Sequence, residues 1–342
     1  MRTTFRRRVT AASLGALATV AACSSDGTET VGSDEVTAGG VATEEGGGDD
    51  PSAATTVESD AGDVTDDDVA TPDDADAATI DLTAMRDDVD CTDEGLGADD
   101  VYSFTAAHYV VDGVLGALCN GNEDERLIDV WDALATIAPR GQLGDLGAFT
   151  AFEEAEAGDE VTLAFVQPID ADGTLFQMSV GLDEVEADPD EALLTMAHEF
   201  SHVFTAIPSQ IDRTVEAAEN CATYDNGEGC FLEGSLVVQW IDAFWVDYID
   251  GFDPLVEASG AEGQERCSQD AGFLGPYAAS DPEEDFAESF SAYVFDVEAA
   301  TPEQQERIDW MAAQPGLAEF RERAEAGGLT PVRNDFEVCG VG

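Results

Sequence analysis

A chain of 342 residues with 75 acidic side chains, 13 basic ones and a formal net charge of −62 offers no basic patch on which to hold nucleic acid or an acidic membrane face. Every basic residue is arginine, and Arg2, Arg6, Arg7 and Arg8 all stand at the very start, so the remainder is more acidic still. Self-repulsion on this scale opposes compaction in dilute buffer and is tolerated where salt screens it; a halophilic or salt-tolerant source is expected.

The basic start leads into an apolar run over 9–22 that is too short to span a bilayer, and residues 1–22 read as a signal peptide. Val20-Ala21-Ala22-Cys23 places small residues ahead of a cysteine, as in a bacterial lipobox. Cys23 would then carry the lipid and become the mature N-terminus, anchored stably by two or more acyl chains. A plain secretory signal cleaved nearby is the alternative. No later apolar stretch reaches the roughly 18 residues a spanning helix needs. The expectation is an exported protein, lipid-anchored at the extracellular face of the cell membrane and touching the membrane through Cys23 only. Residues 23–78 are Gly, Ser, Thr, Ala, Asp and Glu with almost nothing large and apolar, and read as an acidic disordered linker. Asp66, Asp67 and Asp68 lack EF-hand spacing and read as a solvated acidic run.

Residues 79–342 carry the tryptophans and the apolar periodicity, enough for one large domain or two lobes around a cleft. Apolar spacing predicts helices over 102–118 and 123–137, the second stopped by Pro139, with His108 a structural histidine in the first. Segments 161–169 and 175–182 read as strands of a hairpin turned by Asp170-Ala171-Asp172-Gly173. The next helix is capped by Asp188 or Asp190, has Pro189 in its first turn, and runs to about Ala206 before Pro208. Further helices are expected over 232–249, 283–295 and 302–325, after a loop at 220–229. The fold class is therefore α+β, mostly helical, with a small β-sheet ahead of the long helix. Beyond Cys23 stand Cys91, Cys119, Cys221, Cys230, Cys267 and Cys339, an even set in an exported chain. Three disulfides are expected, and only the pairing of Cys221 with Cys230 is favoured by spacing.

The long helix contains His198-Glu199-Phe200-Ser201-His202, using two of the three histidines in the chain. Positions i and i+4 share a helical face, so both imidazoles can reach one Zn²⁺ while Glu199 lies beside the open coordination position. Zinc in a hydrolase takes three protein ligands and a water, and no histidine follows His202. Thr205 and Pro208 occupy the positions where a metzincin would have glycine and histidine. The third ligand is thus sought among carboxylates, best in Asp281-Pro282-Glu283-Glu284-Asp285-Phe286-Ala287-Glu288, where Glu284 and Glu288 stand one helical turn apart. Glu283 is a further rival.

An HExxH motif followed at a distance by a tyrosine and then, seven positions on, by Glu284-Asp285-Phe286-Ala287-Glu288 resembles the gluzincin metallopeptidases, most closely the anthrax lethal factor-like branch. The resemblance covers roughly residues 161–294. It implies a zincin-like fold, Glu284 as third zinc ligand, Tyr277 as hydrogen-bond donor to the transition state, and Glu288 as the partner of a ligand histidine. The strand at 175–182 is expected at the sheet edge, where zincin substrates lie extended.

These readings converge on a membrane-tethered zinc metalloendopeptidase that cleaves polypeptide substrates, with Glu199 as general base towards a zinc-activated water. The alternative is a non-catalytic surface lipoprotein that binds zinc, which would need a fourth protein ligand and would have no use for Glu199.

Overall fold

Strands open the folded part. The computed structural model describes residues 79–99, 101–154, 162–215, 218–250, 252, 260–332 and 338–340. The leader, Cys23, the linker and Asp66 to Asp68 lie outside the described residues. β1 (Tyr102–Val111) and β2 (Val114–Gly121) form an antiparallel hairpin. Its turn places Asp112 at φ 51 and Gly113 at φ 73, the two left-handed residues that a tight hairpin turn requires. The helix expected over 102–118 is therefore absent. A short apolar run satisfies helical and strand spacing equally, and the Asp-Gly pair inside it decides for the hairpin.

After α1 (Glu125–Ile137) and the short α2 (Arg140–Leu143) come β3 (Leu146–Glu154), β4 (Ala164–Pro168) and β5 (Phe176–Gly181). The five strands lie in the order β2-β1-β3-β5-β4. β3 runs parallel to β5, and β4 pairs antiparallel with β5, Val166 opposite Met178. The expected β4–β5 hairpin is present, but β5 is an interior strand. The edge on that side is β4, because β3, a nearly continuous apolar run buried on both faces, takes the other flank of β5.

One face of the sheet packs on helices: Phe149 of β3 meets the fully buried Trp131 of α1 edge-on, ring centroids 5.3 Å apart. On the other face Val89 and Leu96 of the preceding segment cover Ala107 and Ala148. There the Cys91–Cys119 disulfide ties that segment to β2.

α3 (Leu182–Ala187) leads into α4 (Pro189–Thr205), which carries the histidine motif. Asp188 caps α4, accepting from the backbone N–H groups of Asp190 and Glu191, with Pro189 in the first turn, where its missing N–H costs nothing. α4 contacts β4 and β5 on one side and α7 (Pro282–Val294) on the other. Phe204 of α4 sits 5.1 Å from Phe290 and 6.4 Å from Phe286 of α7, fixing the two helices against each other.

Between them the chain makes a two-stranded ribbon, β6 (Ile211–Asp212) with β7 (Cys230–Phe231), and α5 (Leu236–Trp240). α5 continues through one π-helical turn at Ile241–Trp245, shorter than the helix expected over 232–249. α6 (Gly260–Gln269), α8 (Pro302–Ala312) and α9 (Ala318–Ala326) complete the helices. All described residues belong to one unit of mutual contacts, a mixed α+β fold rather than helices, hairpin and helices in that order.

The three disulfides are Cys91–Cys119, Cys221–Cys230 and Cys267–Cys339. They fit an oxidising, extracellular environment. No described helix is long and apolar enough to cross a membrane.

Candidate metal centre

Two helix faces meet at the site. On α4, His198 and His202 project from successive turns, with Nε2 atoms 3.3 Å apart and ring centroids at 5.1 Å. On α7, Asp281 caps the first turn by accepting from the Glu283 N–H at 2.7 Å, and Pro282 follows it. That start sets the register that turns Glu284 and Glu288 towards α4. The first turn is also where the helix dipole favours a carboxylate such as Glu284.

Glu284 Oε2 lies 3.0 Å from His198 Nε2 and 3.6 Å from His202 Nε2. It makes a hydrogen bond to neither ring: the atoms are within ion-pair distance, but not aligned as donor and acceptor. Ligand atoms about 2.0–2.1 Å from one tetrahedral ion stand about 3.3–3.4 Å from each other, and the observed 3.0, 3.3 and 3.6 Å bracket that separation. Two imidazole nitrogens and one carboxylate oxygen suit a borderline cation of the zinc kind. Among the described residues these three form the one histidine, cysteine and carboxylate cluster able to hold a metal ion.

The expected rivals to Glu284 face elsewhere. Glu288 Oε1 is 3.0 Å from His198 Nδ1, on the far side of the ring from the Nε2 that meets Glu284. A carboxylate there fixes the orientation of the imidazole. Glu283 turns to Asn226, whose Nδ2 lies 3.3 Å from Glu283 Oε2.

Tyr277 stands just ahead of the 3₁₀ turn Ala278–Ser280, its ring centroid 5.9 Å from that of His198. The residue is half-buried. Burial first, then the charges of Glu284 and Glu199 and a hydrogen bond to Glu284, push its pKa well above the ordinary value and keep it protonated. Glu199 is fully buried with both carboxylate oxygens unpartnered by hydrogen bonds. Burial raises its pKa strongly, opposed by His198 and reinforced by Glu284 and Glu288. Burial disfavours charge on His198 as well, yet Glu284 and Glu288 outweigh it and raise the pKa. For Glu284 the same burial is overcome by the two imidazoles, which hold the carboxyl below its usual range.

The structure thus brings His198, Glu199, His202, Tyr277, Glu284 and Glu288 together. His108 is elsewhere, buried in β1 with Nδ1 at 2.9 Å from the Gly116 carbonyl oxygen.

Sequence reasoning missed a second group. Asn226 and Glu228, within the loop closed by Cys221–Cys230, reach the flanks of the site together with Arg213. The paired cysteines signalled a closed loop but not where it docks. Asp285 was missed also: fully buried beside Glu284, it accepts from Trp240 Nε1 at 3.0 Å, Trp245 Nε1 at 2.8 Å and Arg307 Nε at 3.3 Å. No protein-family model matches the chain, and no curated protein and no solved structure matches it.

Proposed function

We propose that the protein is a zinc-dependent metalloendopeptidase of gluzincin type with a zincin-like domain, exported and held at the cell surface by lipid on Cys23. The observation that carries this reading is the meeting of His198 Nε2, His202 Nε2 and Glu284 Oε2 within 3.6 Å of one another. A zinc ion held there would supply Lewis acidity, polarising a scissile carbonyl and acidifying a water to a pKa of about 7.

The chain supplies the rest. Glu199, whose carboxylate has no hydrogen-bond partner to satisfy it, takes the proton from the attacking water and passes it to the leaving amine. Burial raises its pKa, the direction that makes a carboxylate a stronger base. The phenol of Tyr277, held protonated, donates to the oxyanion that develops as the amide carbonyl is attacked. Glu288 Oε1, 3.0 Å from Nδ1 of His198, favours the ring proton on that nitrogen, which leaves the Nε2 lone pair free for the ion. Among the described residues three protein donors meet here rather than four, which favours this reading over a purely structural or storage site.

Glu199→Gln tests it. The variant retains its zinc and loses hydrolysis of a peptide library in molar salt by about 10²-fold or more, the contribution of a positioned acid–base. Undiminished cleavage by the variant, or zinc-loaded wild type that cleaves nothing, would contradict it.

A further inference from the structure

The loop closed by Cys221 and Cys230 meets α7 directly, through Asn226, and reaches the end of α4 through Arg213. At its base, β7 pairs with β6, Asp212 opposite Cys230, and the Leu232 N–H donates to the Gln210 carbonyl at 2.8 Å, so the loop is rooted in the segment that leaves α4. Inside the loop Tyr224 is buried and stacks on Phe231, ring centroids 5.7 Å apart. Asn226, only 7 % exposed, donates to Glu283, the residue before Glu284. Glu228 Oε2 lies 3.5 Å from Arg213 Nη2, and the other terminal nitrogen of Arg213 donates at 2.6 Å to the carbonyl of Ala206, the residue that closes α4 one turn beyond His202. The approach is tight: a Cβ on Gly229 would stand 2.8 Å from the Asp212 carbonyl oxygen and 2.9 Å from Arg213 Cα.

We infer that this disulfide-closed loop is a brace for the metal site, in which Asn226 fixes the start of α7 behind Glu284 and Glu228, through Arg213, fixes the end of α4 behind His202. Neither residue touches the donor atoms; both are positioning residues. Without the brace α4 and α7 keep their aromatic seam, but the donor atoms at their near ends lose the restraint that holds their separation. Metal affinity then falls although the fold persists. The Cys221–Cys230 bond keeps the loop's docked conformation populated, so its reduction by a dithiol, which leaves two thiols and an oxidised dithiol, relaxes the site.

The inference rests on the proposed metal site, and one series of measurements separates the two. Zinc dissociation constants are obtained by chelator competition for the wild type, Asn226→Ala, Glu228→Gln and the pair Cys221→Ser/Cys230→Ser, alongside visible spectra of the Co²⁺-loaded proteins. The remote pair Cys91→Ser/Cys119→Ser serves as a control for general loosening. The brace predicts a dissociation constant raised about 10- to 100-fold by each change in the loop, with a shifted Co²⁺ spectrum. It predicts no change for the remote pair, and recovery towards the wild type in Glu228→Asp. Affinities within twofold of the wild type in folded loop variants would overturn the brace alone, as would an equal loss in the remote pair. A wild type that binds neither metal would overturn the brace together with the site it serves.

Discussion

Glu284 and Glu288 differ by one helical turn and, in this fold, by which nitrogen of His198 they meet. Glu284 faces Nε2, the atom it shares with His202, and Glu288 faces Nδ1. Removing charge from a ligand takes away a bond to the ion; removing it from the Nδ1 partner only loosens a ring. Glu284→Gln is therefore expected to weaken zinc binding more than Glu288→Gln, whose loss should stay within about 10- to 100-fold. Chelator competition on the two purified variants checks the order, and the reverse order would exchange their roles. This residue-scale detail was half legible in the sequence. The i, i+4 spacing of each pair put both histidines on one face and both glutamates on another, because helical geometry alone fixes that. Which glutamate meets which nitrogen depends on the approach of α7 to α4, and no local pattern encodes it.

At the scale of elements, the site depends on how α7 is held. Asp285 points away from the donor cluster into the helical core, where two indole N–H groups and Arg307 converge on its carboxylate. Burial pushes its pKa up even against the opposing pull of Arg307 and the two indoles, so the carboxylate is tolerated in the interior only while all its partners remain. Asp285→Ala leaves Arg307, itself 3 % exposed, without this partner in the interior. The expected cost is about 3–5 kcal/mol of stability, read from urea unfolding, together with weaker metal binding as the first turn of α7 loosens. A loss below about 1 kcal/mol would remove Asp285 from this role. The legible elements were those with strong local signals: α1, α4, α7 and the β4–β5 hairpin each have a cap, a proline or a turn at their ends. The β1–β2 hairpin was misread because its apolar residues fit either period. β3 was passed over because a strand covered on both faces has no alternation to see. The position of β5 inside the sheet followed from that omission, since strand order is set by contacts distant in sequence.

The whole molecule is held by three covalent links that enclose very different lengths of chain. Cys221 and Cys230 are 9 residues apart, Cys91 and Cys119 are 28 apart, and Cys267 and Cys339 are 72 apart. Loop-closure entropy alone assigns them roughly 2.5, 3.5 and 4.5 kcal/mol in that order. Serine pairs replacing each bridge should therefore lower the thermal midpoint least at Cys221–Cys230 and most at Cys267–Cys339. A calorimetric series in molar salt, where the acidic surface is screened, checks this. A largest loss at Cys221–Cys230 would contradict it. The sequence announced that bridges exist, through an even cysteine count beside a secretory start, but not the two long-range pairings, which only the folded chain brings together.

The central claim is that one ion is shared by His198, His202 and Glu284 with a coordination position left for solvent. Metal analysis combined with X-ray absorption at the zinc edge on the purified protein tests it most directly. The account predicts one zinc per chain bound by two imidazole nitrogens and oxygen donors, with Glu284→Gln altering the oxygen shell. A metal-free protein, or a zinc surrounded by four protein donors and unchanged by that substitution, would contradict it.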